Sequence, residues 1–179
     1  SESLLISSAK DKKAIVIEKT PTKLDVYESH EDLLTCTNHY QSEKLKGEQK
    51  NIDNIKYTDS EYRYERLTEL VKNHQKLNPE KISEILRDKE GLGNANIGLG
   101  NAQSINQLIA HHAIIFKPEQ NEFWVSSNPF QLGAFKHYDL DVVFNKKSKD
   151  SIIRDIAADE FLTTQSYSDF EKWRLTKVE

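Results

Sequence analysis

Four consecutive residues, Cys36, Thr37, Asn38 and His39, form the densest group of reactive side chains in the sequence. A thiol becomes a nucleophile when a base lies within hydrogen-bond reach, and a Cys three residues from a His invites that reading. Residues 33–40, however, have the composition of a strand. On a strand, positions 36 and 39 have opposite parity and point to opposite faces. Cys36 is therefore expected to be a small buried hydrophobe. Asn38 has two open readings: a structural amide, or a neutral N–H₂ donor held on a rigid element to meet a developing oxyanion. Arg63 and Arg66 lie three apart, so on a helix they face nearly the same way, and Arg63 shares a stripe with Leu67 and Leu70. A guanidinium at the edge of an apolar stripe meets a carboxylate or a ligand; ordinary surface or structural pairing is the alternative. His111 and His112 are neighbours on an expected strand, point to opposite faces and read as two core histidines. Ser1 has nothing beside it to support a nucleophilic role.

The elements that must position these residues can be read from periodicity. Leu4, Leu5 and Ile6 begin one strand, and Ala14, Ile15, Val16, Ile17 and Glu18 make a second. After a turn at Pro21, Leu24 and Val26 alternate with polar neighbours in a third, and residues 33–40 make a fourth. The Lys-, Glu- and Asn-rich residues 41–57 read as a solvated loop. Thr58 to Glu61 has the form of a capping box opening a helix, and Asn78 with Pro79 reads as the N-cap and first position of another, through Ile82, Ile85 and Leu86. Residues 91–100 hold four of the six glycines. They lack the dinucleotide and P-loop patterns and are expected to be a flexible connection. The apolar residues 108–116 predict a strand buried on both faces, a turn at residues 117–121 and a return strand at residues 122–126. An irregular stretch through Pro129 and Gly133 follows. Ser148 is expected to cap a helix carrying Ile152, Ile153, Ile156 and Phe161, and Tyr167, Phe170 and Trp173 mark a last amphipathic helix. Runs of strands and runs of helices, without strict alternation, predict an α+β fold with mainly antiparallel sheets.

Composition narrows the function classes. The 179 residues carry 25 basic and 29 acidic side chains, a net charge of −4. That opposes a surface built to neutralise nucleic-acid phosphates. No run approaches the roughly 18 apolar residues of a membrane span. One cysteine excludes an intrachain disulfide and a Cys-cluster metal site, and no metal or cofactor is expected. The chain is polar, with 36% hydrophobic and 30% charged residues. Leu, Ile, Val and Phe still make up about a quarter of it, above the roughly 20% below which charged chains stay disordered. Met is absent even from position 1, as expected of a trimmed start or an interior piece. The compartment is left open.

Taken together, residues 3–8, residues 14–21, the run from Cys36 to Tyr40, the pattern Ser60-x-x-Arg63-x-x-Arg66-Leu67, the hairpin of residues 112–118 with 123–126, and Pro129 with Gly133 resemble the acyl-coenzyme A:6-aminopenicillanic acid acyltransferase-like family. Its members are autoproteolytic cysteine enzymes of the N-terminal nucleophile hydrolase class. The resemblance implies a four-layer αββα sandwich and a cysteine exposed by self-cleavage, whose α-amino group serves as base in acyl transfer from an amide or thioester. It puts Asn38 in the position of the oxyanion-stabilising Asn, and Arg63 in a position lining the site near the nucleophile in more distant relatives. The family's nucleophile lies upstream of the segment matched here, and Cys36 does not occupy its place. Residues 1–179 are therefore expected to be the C-terminal part of a single domain of this class. The implied partners are the nucleophile-bearing N-terminal segment of the same precursor and a small acyl-amide or acyl-thioester substrate; a homo-oligomer is compatible with this reading. The competing expectation is a catalytically inactive interaction module that retains the fold.

Overall fold

The computed structural model describes residues 2–29, 31, 33–74, 76–145 and 154–177. The chain divides into two compact units, Ser1–His74 and Gln75–Glu179.

The first unit opens with the three expected strands, β1 (Glu2–Ser8), β2 (Lys13–Lys19) and β3 (Leu24–Tyr27), in one antiparallel sheet of order β1-β2-β3. Register puts Leu5, Val16 and Tyr27 on one face and Leu4, Ile17 and Val26 on the other. Val16 and Glu18 share the first face and are fully buried. The expected fourth strand does not form: residues 33–40 have no strand pairing. Backbone groups of the second half of this run and of the next two residues are taken by side chains instead. Asn38 N–H donates to Ser60 Oγ, Tyr40 N–H to Asn51 Oδ1, and Gln41 N–H and Ser42 N–H to the two Glu18 carboxyl oxygens. Backbone polar groups must be satisfied somewhere, and here a ladder is unnecessary.

The expected solvated loop is also corrected, because its second half is helix α1 (Gln49–Tyr57). This helix inverts the usual amphipathic rule. Asn51 is its buried residue and Ile52 is 45% exposed. Asn51 bonds both ends of Tyr40, taking its N–H at 2.7 Å and donating to its C=O at 3.1 Å. Helix α2 (Ser60–Lys72) follows, without the expected capping box: its N-cap is Asp59, with no side-chain capping bond. Thr58 turns back to α1, donating to Asn54 O at 2.7 Å. The buried residues of α2 are Ser60 and Arg66, so Arg66 rather than Arg63 is the deeply buried arginine.

The second unit begins as expected, with α3 (Pro79–Leu86) capped by Asn78, whose side chain accepts from Lys81 N–H. Strands β4 (Ile114–Lys117), β5 (Glu122–Ser126) and β6 (Phe135–Asp139) form an antiparallel sheet of order β4-β5-β6. The predicted strand over residues 108–116 shrinks to β4 and is buried on one face only. Ile115 is 2% exposed, whereas Ile114 and Phe116 are 43% and 62% exposed. His111 and His112 are likewise exposed, not in the core. β6 and the short α4 (Leu140–Asn145) occupy a stretch without a clear period in sequence. The expected cap at Ser148, with Ile152 and Ile153, lies outside the described residues, as does Ser1. Ile156 is not helical; it bridges to Phe135. A 3₁₀ turn at Glu160–Thr163 leads to α5 (Gln165–Leu175), where the final amphipathic helix was expected.

Two apolar clusters make the core of this unit: Leu108, Leu132 and Phe170, and Ile115, Trp124 and Phe135. Gly133 is required where it stands, since an added Cβ would lie 2.2 Å from Asn128 O. Arg87 is buried beside it and donates to the carbonyls of Gly133 and Ala157 at 2.8 and 2.9 Å.

Candidate functional site

The first turn of α2 and the irregular run 37–39 meet at Asn38. Ser60 and Arg63 lie three residues apart on one helix face, and both reach Asn38. Ser60 Oγ accepts from its main-chain N–H at 3.0 Å, and Arg63 donates to its side-chain Oδ1 at 2.6 Å. From α1, Asn54 Nδ2 donates to the Asn38 carbonyl at 2.7 Å. Arg63 has only donors to offer, so it fixes which end of the Asn38 amide faces it. The oxygen is held, and Nδ2 is turned away without a protein acceptor among the described residues.

Asn38 lines a cleft of about 410 Å³ with Glu2, Ser3, Thr37, Tyr40, Lys50, Asn51 and Asn54. The lining is mostly hydroxyl and amide groups, with one residue of each charge. Burial draws the Arg63 pKa below the ordinary arginine value, and the charge of Asp59 opposes that shift.

Behind Asn38 lies a second, buried layer. Ser60 Oγ is 2.9 Å from His39 Nδ1 and 3.2 Å from Thr37 Oγ1, and Thr37 Oγ1 donates to Ser60 O at 2.9 Å. The His39 ring meets Tyr64 edge-on at 5.5 Å. Desolvation lowers the His39 pKa, with Glu61 and Glu18 acting against it. Ser60 is fully buried, so the Ser60–His39 contact presents no nucleophile to a substrate. Cys36 is half-buried, and desolvation followed by the charge of Glu18 raises its thiol pKa. That is the reverse of the electropositive, exposed setting of a reactive thiolate.

Of the residues singled out in the sequence, Asn38 and Arg63 are thus in direct contact, although the expected strand that was to carry Asn38 is irregular. Sequence reasoning missed Asn54, Asn51 and Glu18. For Glu18 a signal existed: it shares parity with Val16 on β2, a carboxylate on the inward face. Ser60 was read as part of a cap, yet its spacing from Arg63 already marks a common helix face.

Fold and site together describe an α+β protein of two small antiparallel sheets and short helices, with an arginine-held amide donor beside a polar cleft. The family model for acyl-coenzyme A:6-aminopenicillanic acid acyl-transferase matches residues 2–129, and the chain belongs to that family. The matched span contains Asn38, Ser60 and Arg63, and it bears out the resemblance read from the sequence motifs. No curated protein and no solved structure gives a match. Among the described residues, no helix is long and apolar enough to cross a membrane.

Proposed function

We propose that this chain supplies the oxyanion-stabilising Asn38 and one wall of the acyl site in an N-terminal nucleophile acyltransferase or amidohydrolase. Residues 1–179 would form the C-terminal part of its αββα domain, with the cysteine nucleophile on an upstream segment of the same autoproteolytic precursor. The observation that carries this reading is the 2.6 Å bond from Arg63 to Asn38 Oδ1. A charged donor on the amide oxygen draws electron density from the group and makes the remote Nδ2–H a stronger donor. It also orients that donor before any substrate arrives, so no reorganisation is needed when charge develops.

The chemistry follows from that donor. The thiolate attacks the carbonyl carbon of an amide or thioester, and the displaced electron pair moves onto the carbonyl oxygen. Asn38 Nδ2–H donates to the oxyanion. Collapse expels the amine or, from a thioester, the thiolate; either leaving group takes its proton from the nucleophile's own α-ammonium, and an acyl-cysteine remains. Water or an amine then attacks the acyl-cysteine, and the same donor serves the second tetrahedral intermediate.

In the enzyme containing both segments, Asn38→Ala is expected to lower turnover by about 10²–10³. Arg63→Ala is expected to lower it too, and Arg63→Lys to recover part of the loss, because an ammonium keeps the charge but not the fixed fork. An unchanged rate for Asn38→Ala returns that residue to a structural role. Intact mass spectrometry of the protein from its source tests the partner: a second chain beginning with Cys supports the reading. A source protein without such a chain and without amidase or acyl-transfer activity points to an inactive interaction module.

A further inference from the structure

We propose that Ser60 and Asn54 are positioning residues that clamp the Asn38 peptide, with His39 fixing the direction of the Ser60 hydroxyl. The proposal rests on the reading of Asn38 as the oxyanion donor and goes beyond it in assigning what holds that donor still.

Proton accounting supports the arrangement. Thr37 has one hydroxyl proton, and it goes to Ser60 O. Ser60 Oγ already accepts from Asn38 N–H, so its own single proton needs an acceptor. His39 Nδ1 at 2.9 Å is nearer than Thr37 Oγ1 at 3.2 Å. The neutral ring, with its hydrogen on Nε2, accepts that proton, and desolvation of His39 favours the neutral form. The result is a directed chain: Asn38 N–H to Ser60 Oγ, then Ser60 O–H to His39 Nδ1. A hydroxyl that donates is the better acceptor for it. On the other side of the residue, Asn54 holds the Asn38 carbonyl at 2.7 Å.

The clamp accounts for two features that local stability does not explain. Ser60 is fully buried at the start of α2, yet it spends its hydroxyl on the run 37–39 and not on capping its own helix. Asn54 likewise reaches outside α1 to a carbonyl of that run. With Arg63 on the side chain, Asn38 is held through its N–H, its C=O and its amide oxygen, and the residue lines the cleft. An oxyanion donor must be kept within about 0.5 Å of its productive position, and a run without strand pairing has no ladder to do this.

The test is a set of double-mutant cycles in the enzyme that contains both segments. Ser60→Ala is expected to lower kcat by about 10- to 100-fold with KM unchanged, because a loosened donor is missed only when the oxyanion forms. In an Asn38→Ala background the same substitution is expected to add nothing, since it acts through Asn38. If Ser60→Ala does not fold, Asn54→Ala, from a half-exposed helix position, is read in the same way. Equal losses in the two backgrounds, or unchanged kcat in the wild-type background, would overturn the clamp. Unchanged turnover in Asn38→Ala alone would instead overturn the underlying reading of Asn38, so the two failures are distinguishable.

Discussion

Stability depends on pH wherever a histidine is held neutral by burial, and His39 is such a residue. Its folded pKa is lowered from the ordinary 6.5, with desolvation as the leading cause. The unfolded chain therefore binds the proton more readily than the folded one, and stability rises with pH across the interval. The contribution is complete above the unfolded value and is lost as pH falls from there toward the lower folded value. Chemical-denaturation midpoints measured between about pH 5 and 7.5 are expected to fall on the acid side, and His39→Gln is expected to flatten that slope. A wild-type profile equally flat over this range would show that the ring is not held neutral. Cys36 gives a second test at the same scale. Burial and the charge of Glu18 raise its thiol pKa, so little thiolate forms at neutral pH, and iodoacetamide is expected to label it far more slowly than a free cysteine. Labelling at the free-thiol rate would reopen Cys36 as a nucleophile.

Among the elements, the run 37–42 matters most, because it holds the site without regular structure. Glu18 on β2 is fully buried and accepts the N–H groups of Gln41 and Ser42 at 2.8 and 2.9 Å. Glu18→Ala leaves the buried Ser42 N–H and the partly buried Gln41 N–H without this partner, at about 1–3 kcal/mol each. The unfolding free energy from urea titration is expected to drop accordingly, by about 2–6 kcal/mol in all. Glu18→Gln, which keeps one acceptor oxygen, is expected to lose less. A change within about 0.5 kcal/mol for Glu18→Ala would mean that the run holds itself, as an ordinary surface loop does. These contacts also explain what sequence periodicity could and could not reveal. β1, β2, β3, α3 and the hairpin of β4 and β5 follow apolar patterns and turn chemistry, and they were legible. The contact between Asn38 and Arg63 was legible only as two separate candidates. The run 33–40 misled because its β-branched content suits a strand, while Ser60, Asn51 and Glu18 from three different elements take up the backbone groups of its second half and of the two residues beyond. α1 misled because its buried residue is an asparagine and Ile52 faces out. Periodicity reports apolar burial, and here the buried groups are polar.

The two units differ in what holds them. In the second, Leu108, Leu132 and Phe170, and Ile115, Trp124 and Phe135, are packed into apolar clusters. In the first, the fully buried apolar side chains among the described residues are Val16 and Leu45, and the rest of the buried set is Glu18, His39, Ser42, Asn51, Ser60 and Arg66. Burying a large apolar side chain contributes about 1.5–3 kcal/mol, against a net of about 0.5–1.5 kcal/mol for a typical hydrogen bond. A polar network is specific in geometry but opens at lower cost once a member is released. The first unit also leaves Leu4, Ile6, Leu24 and Val26 exposed on one face of its sheet, at 51%, 45%, 56% and 40%. Local opening free energies are therefore expected to be unequal. Native-state hydrogen exchange of this chain alone is expected to show the amides of Asn38, Tyr40 and Ser42 exchanging well before those of β5. Equal protection in both units would show that the polar network is as stable as the apolar clusters. The proposed upstream segment sharpens the same measurement. If it completes the acyl site, adding it is expected to slow exchange selectively in residues 2–74, because a partner that binds only the closed state shifts the opening equilibrium by mass action.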